Sequence, residues 1–299
     1  IGAIAGRASY TTVRNCKVTG RIDQGHNCVG GVFGSVGVGV AIDNVDISII
    51  INNCNDYVGG VIGQVEKYQS CRISNITTNQ HIFEVRGHNY VGGILGYAPY
   101  ADINISNVSI VHTVNAAADL CFIEGNSYVG GILGYFENIY TAEGGYPDIE
   151  YLGIMSKIEN SYVNTVIKGH GEHIGGIVGR IVDPSELKYQ EFKFASVHGN
   201  SAVTGGKNVG GFIGSATNCR LYFENCSVQP KGSSIMYVKG EEAVGGFIGD
   251  GLYCFSQLSN IKISTNVTAS GAYAGGFAGK LDNAFLTLNL SDFTFSNSC

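Results

Sequence analysis

A six-residue pattern, apolar–Gly–Gly–apolar–apolar–Gly, returns eight times along the chain. The copies read VGGVFG, VGGVIG, VGGILG, VGGILG, IGGIVG, VGGFIG, VGGFIG and AGGFAG, with glycine pairs starting at Gly30, Gly59, Gly92, Gly130, Gly175, Gly210, Gly245 and Gly275. An imperfect ninth copy, IGAIAG, covers Ile1–Gly6. Around each copy the apolar positions fall into two further short runs. One centres on an asparagine: VRNCKV, IDNVDI, ISNITT, ISNVSI, IENSYV, FENCSV and LSNIKI place Asn15, Asn44, Asn75, Asn107, Asn160, Asn225 and Asn260 in one column. The other ends in a glycine five residues before the next pair, as at Gly87, Gly125 and Gly240. Three short apolar runs bounded by turn residues predict three short strands per repeat.

Self-similarity at this period is the signature of a tandem array. The expected fold is all-β: a β-solenoid of about nine rungs over residues 1–299, one continuous repeat domain with insertions near 137–150 and 183–191. Rungs at the usual strand spacing make a rod on the order of 40 Å long. Because IGAIAG opens in mid-repeat and Phe285–Phe295 is followed at once by Cys299, the chain reads as a segment of a longer protein, with uncapped ends prone to self-association.

Two columns follow each glycine pair. Val32, Val61, Ile94, Ile132, Ile177, Phe212, Phe247 and Phe277 form the first; Phe33, Ile62, Leu95, Leu133, Val178, Ile213, Ile248 and Ala278 form the second. Adjacent residues of a straight strand point to opposite faces. Either the glycines bend the chain and turn both columns inward, or one column is an apolar stripe for association. A tyrosine column at Tyr57, Tyr90, Tyr128 and Tyr273 has a similar pair of readings, packing or a face for a carbohydrate or protein partner.

Composition narrows the classes. Glycine supplies 44 of 299 residues, there are four prolines and no tryptophan, and 14% of residues are charged, as suits a stacked all-β core. A net charge of −6 gives no basic stripe for nucleic acid. No apolar run reaches the roughly 20 residues of a membrane span. The glycine pairs are not a phosphate loop, for no lysine and no helix follows them. No Cys-x-x-Cys pair points to structural zinc. No metal and no cofactor is expected.

The motifs NCKVTGRIDQGHNCVGGVFG at Asn15–Gly34 and NSYVNTVIKGHGEHIGGIVG at Asn160–Gly179 resemble the GLUG repeat. That repeat is known from bacterial surface adhesins, immunoglobulin-A peptidase-like proteins and other large secreted proteins. The resemblance implies an extracellular, non-catalytic structural or adhesive role, as part of a surface filament or adhesin. Its partners would be further copies or other extracellular structural proteins, and glycans. It carries over no catalytic residue. Nine cysteines set this chain apart from the commoner bacterial pattern and favour an oxidising secretory route.

Candidate site residues follow from that setting. The glycosylation sequon N-x-[ST] occurs at Asn75, Asn104, Asn107, Asn225, Asn266 and Asn289. If the asparagine column is an inward amide ladder, Asn104, Asn266 and Asn289 are the better acceptors. Cys219 and Cys254 each stand nine residues after a glycine pair and should stack within disulfide reach. Cys28 and Cys54 are a second candidate pair, and Cys299 is the candidate for an interchain bond. The rival class is a carbohydrate-binding or carbohydrate-degrading β-helix protein. It would use an acidic lobe of Glu137, Glu143, Asp148, Glu150, Asp183, Glu186 and Glu191. His170 and His173 read as a polar turn.

Overall fold

The computed structural model describes residues 1–111, 120–138, 155–183, 191–230, 236–289 and 292–298. Among them every regular element is a strand and there is no helix. All strand pairings are parallel, and each joins a segment to its counterpart in the preceding and following repeats.

Each glycine motif is a corner. Its first half lies in an eight-stranded sheet, where Val29, Val58, Val91, Val129, Ile174, Val209, Val244 and Ala274 stand in register. Two residues later the chain has entered the other sheet, where Phe33 pairs with Ile62. The corner demands glycine for lack of space. A Cβ on Gly30 would overlap the Phe33 carbonyl oxygen, and one on Gly31 would overlap that of Gly60 in the next repeat. At most corners three successive amides point toward the following one: Gly60 N–H donates to Gly92 O (3.2 Å), and Val61 and Ile62 N–H share Ile94 O (3.0 and 2.9 Å).

Because the chain turns between them, both apolar columns face inward. Val32, Val61, Ile94, Ile132, Ile177, Phe212 and Phe247 are wholly buried, and so are Phe33, Ile62, Leu95, Leu133, Val178 and Ile213. The bend, not an association stripe, explains the pattern. In the later repeats the core becomes phenylalanine. Phe194 and Phe223 stack at 5.0 Å, and Phe212 and Phe247 at 4.7 Å, each such pair contributing about 0.5–1.5 kcal/mol beyond its area.

The asparagine column is a second corner. All seven asparagines adopt left-handed φ values between 47° and 54°, which asparagine tolerates better than most residues. One left-handed residue resets the inward–outward alternation: Ile42 is buried, Asn44 exposed, then Val45 and Ile47 buried. In the early repeats the strand runs on through the turn, pairing on both sides of Asn44 with the next repeat, whereas at Asn225 and Asn260 it is interrupted.

This continuity overturns the expectation of a nine-rung solenoid with three short strands per repeat. Segments expected to be separate run on as Val40–Asn52 (13 residues), Ser70–Arg86 and Leu95–Val111 (17 residues each). The strands collect into two all-parallel sheets, of 24 and 8 strands, that wall one continuous apolar core.

Candidate functional site: a tyrosine stripe ending on a buried histidine

Where the two sheets meet outside the glycine corner, they set two side-chain columns beside each other. One comes from the residue before each motif: Cys28, Tyr57, Tyr90, Tyr128, His173, Asn208, Ala243 and Tyr273, all at left-handed φ between 52° and 65°. The other comes from the residue after its last glycine: Ser35, Gln64, Tyr97, Tyr135, Arg180, Ser215, Asp250 and Lys280, paired successively in register. Five tyrosines mesh here. Tyr90 and Tyr128 stack at 4.6 Å with planes 2° apart, Tyr57 lies 4.5 Å from Tyr97, and Tyr135 meets Tyr128 edge-on at 5.6 Å. All five are half-buried, and burial raises the phenol pKa of Tyr57, Tyr90, Tyr97 and Tyr135.

The stripe ends on His173, which stacks on Tyr128 at 5.0 Å. Its Nε2 faces Arg180 Nη1 at 3.1 Å and its Nδ1 faces Ser215 Oγ at 2.6 Å. Burial first, and the Arg180 charge second, push its pKa down to about 3. The ring is therefore neutral at ordinary pH. The Asn208 amide nitrogen also approaches Nδ1, at 3.3 Å, so N–H donors from Arg180 and Asn208 face both ring nitrogens. Ser215 is only 2% exposed, too enclosed to attack a substrate.

The sequence-selected residues scatter over other surfaces. The asparagine column faces solvent, contrary to the inward ladder. Asn44 Nδ2 donates to Asn15 Oδ1 at 2.7 Å, Asn107 Nδ2 to Asn75 Oδ1 at 3.0 Å, and Asn260 Nδ2 to Asn225 Oδ1 at 2.8 Å. Left-handed backbone turns these side chains outward, so the preference among sequons changes. Asn75, Asn107, Asn225, Asn266 and Asn289 are exposed, whereas Asn104 is half-buried.

Cys219 and Cys254 stack as expected, Sγ to Sγ at 3.4 Å, as free thiols. Their shared hydrogen bond lowers the Cys254 pKa and raises that of Cys219. Cys28 and Cys54 are not brought together. The register places Cys28 beside Tyr57, its thiol bonding Gln64 Oε1 at 2.9 Å, while Cys54 bonds Asn52 O at 3.3 Å. Cys299 lies outside the described residues.

Of the acidic lobe, Glu143, Asp148, Glu150 and Glu186 lie outside the described residues. Asp183 is 1% exposed, and Glu191 accepts the Tyr222 hydroxyl at 2.8 Å. Glu137 bonds Tyr100 and raises its phenol pKa. His170 meets Glu124 at 3.0 Å, apart from His173. Among the described residues no three His, Cys, Asp or Glu side chains form a metal-binding group, and no helix is long and apolar enough to cross a membrane.

Tyr57, Tyr90 and Tyr128 form a column visible in the sequence, whereas Tyr97, Tyr135, Arg180 and Ser215 join it only through the fold. Their signal was present, since each directly follows the last glycine of a motif, at the place where the corner delivers the chain back to the surface. No family model matches the chain, and no curated protein or solved structure is similar to it.

Proposed function

We propose that this chain is a non-catalytic extracellular repeat protein with a structural and adhesive role, of the kind the GLUG resemblance implies. The observation that carries the reading is the tyrosine stripe. Five rings from three consecutive repeats are held in register on the outside of a backbone whose every turn is bonded to its neighbours. Tyrosine offers a large, rigid contact surface at low entropic cost. The parallel framework holds it on paired strands rather than on a loop.

The polar chemistry supports the same reading. His173 is enclosed by Arg180, Ser215 and Asn208, and Glu191 is engaged by Tyr222. An extracellular setting is supported by the exposed sequon asparagines. Self-association and binding to other extracellular components are both compatible with such a stripe.

The test uses beads coated with the intact chain, presented to matrix and cell-wall preparations under flow. Adhesion is expected, with at least a fivefold loss on the combined substitutions Tyr90→Ser, Tyr97→Ser and Tyr135→Ser while the melting transition persists. Absence of adhesion to every surface, or turnover of any surface polymer by the chain, would overturn the proposal.

A further inference from the structure

Away from the tyrosine stripe, the outer face of the larger sheet carries a groove of about 450 Å³. It lies within the size range of small-ligand sites. Register builds its floor. Lys193, Tyr222, Gln257 and Thr287 stand in line on four successive strands, and Glu224 and Asn289 flank them in the next column. The row beside them ends in Phe255 and Phe285, stacked at 4.9 Å with planes 7° apart; Phe285 is 66% exposed. Each strand advances the row by about 4.8 Å, so hydrogen-bonding groups and flat rings repeat along the groove at the scale of one sugar ring.

Among the described lining residues the one ammonium and the one carboxylate are paired with each other. Lys193 Nζ lies 3.2 Å from Glu224 Oε2, and the Tyr222 hydroxyl is held by Glu191. A ligand therefore meets an internally paired ammonium and carboxylate together with amide and hydroxyl groups beside aromatic surface. Exposed rings next to such groups fit the C–H faces and equatorial hydroxyls of a pyranose. The groove is open rather than enclosed, which suits an internal stretch of a chain more than a free metabolite. Among the described residues Glu224 is the one carboxylate that lines it, ion-paired with Lys193, and Glu191 lies just beyond on the Tyr222 hydroxyl. Hydrolysis of a glycosidic bond ordinarily needs two carboxyl groups placed across the bond.

We propose that this groove binds a neutral, extended oligosaccharide without cleaving it. The inference rests on the adhesive reading, to which it supplies one ligand class at a separate place on the surface.

The experiment is calorimetric titration of the intact chain with neutral hexasaccharides of glucose, mannose, galactose and xylose, with a hexagalacturonate as the charged comparison. Binding of at least one neutral hexasaccharide is expected, weakened at least tenfold by Tyr222→Ala and several-fold by Gln257→Ala. Tyr90→Ser, on the stripe, should leave it unchanged. Gln257 is exposed, so its substitution keeps the test valid if Tyr222→Ala fails to fold.

Absence of binding by the whole neutral panel, preference for the galacturonate, unaltered binding in both groove variants, or release of shorter sugars would each overturn the inference. Bead adhesion that depends on the stripe, together with no binding of any neutral hexasaccharide by the intact chain, would sink the groove while leaving the adhesive reading standing.

Discussion

The sulfur of Cys219 lies 3.4 Å from that of Cys254, one repeat further along the chain, with both side chains buried. Their strands are already paired around them, Arg220 with Phe255 and Leu221 with Ser256, so closing a bond between them needs only a small side-chain movement. In an oxidising medium this pair is expected to form a disulfide. The loop it closes would stabilise the chain by roughly 3–4 kcal/mol. Peptide mapping under non-reducing conditions should join the two cysteines, and Cys219→Ser should remove both the link and the stabilisation. Recovery of both as free thiols after oxidative folding would refute the expectation.

Glycine at the corners is a steric requirement, and its cost is measurable. A Cβ on Gly210 would meet the Ile213 carbonyl and the Gly249 amide, backbone atoms that cannot rotate away, whereas one on Gly6 meets nothing within 4 Å. Gly210→Ala is expected to lower stability by about 3 kcal/mol or more, and Gly6→Ala to change it by less than about 0.5 kcal/mol. Urea unfolding of the two variants checks this, and equal midpoints would count against the corner geometry.

The asparagine corners yield a graded series. Asn107 holds φ at 54° while bonding Asn75. Glycine at this position keeps the backbone and loses the bond, so Asn107→Gly should cost roughly 1 kcal/mol. Valine loses the bond and opposes the left-handed conformation, so Asn107→Val should cost roughly 2–3 kcal/mol. Thermal unfolding that ranks valine above glycine would show that the turn is not what the asparagine secures.

Acid should weaken the fold through His173. Its ordinary pKa is near 6.5, and in the folded chain burial and Arg180 bring it to about 3. Below pH 6.5 the unfolded chain takes up a proton that the folded chain refuses. The stability present above pH 6.5 is therefore lost progressively down to about pH 3, by at most about 1.4 kcal/mol per pH unit. Glu84, Asp102 and Asp250, held above the usual carboxylate range by burial, contribute with the opposite sign nearer their own range. Denaturation midpoints between pH 5 and 7 should slope in the wild type and flatten in His173→Gln; parallel slopes would contradict the assignment.

Burial should also leave some thiols unreactive. Cys71 and Cys226 are pushed up to about 12 by loss of solvation, so neither forms appreciable thiolate at pH 8. Alkylation at that pH is expected to label half-buried Cys16 well before either of them. Equal labelling rates in the folded chain would show that these side chains are not enclosed.

The chain's repetition, its all-β character and the stacking of Cys219 on Cys254 were legible in the sequence. All depend on a period, and a period survives variable insertions. What was not legible were the corners. A single left-handed residue shifts the alternation by one position, so Ile42 and Val45 share the interior although straight-strand counting separates them. The same shift leaves the inward or outward side of the asparagine column open in the sequence and hides Tyr97 and Tyr135, which reach the tyrosine stripe from the far side of a turn. Cys28 and Cys54 look close in sequence and occupy different parts of the repeat, because proximity to a glycine pair is not register.

In most sheets neighbouring peptide dipoles alternate and cancel. At the glycine corners they do not: Gly31, Val32 and Phe33 all direct N–H groups toward the following repeat, and the corners at Gly60, Gly93, Gly176, Gly211 and Gly246 do the same. Summed head to tail, these units resemble the aligned peptides of a helix. One edge of the molecule thus acts as an electrical axis, its partial positive charge toward the later repeats and its partial negative charge toward the earlier ones.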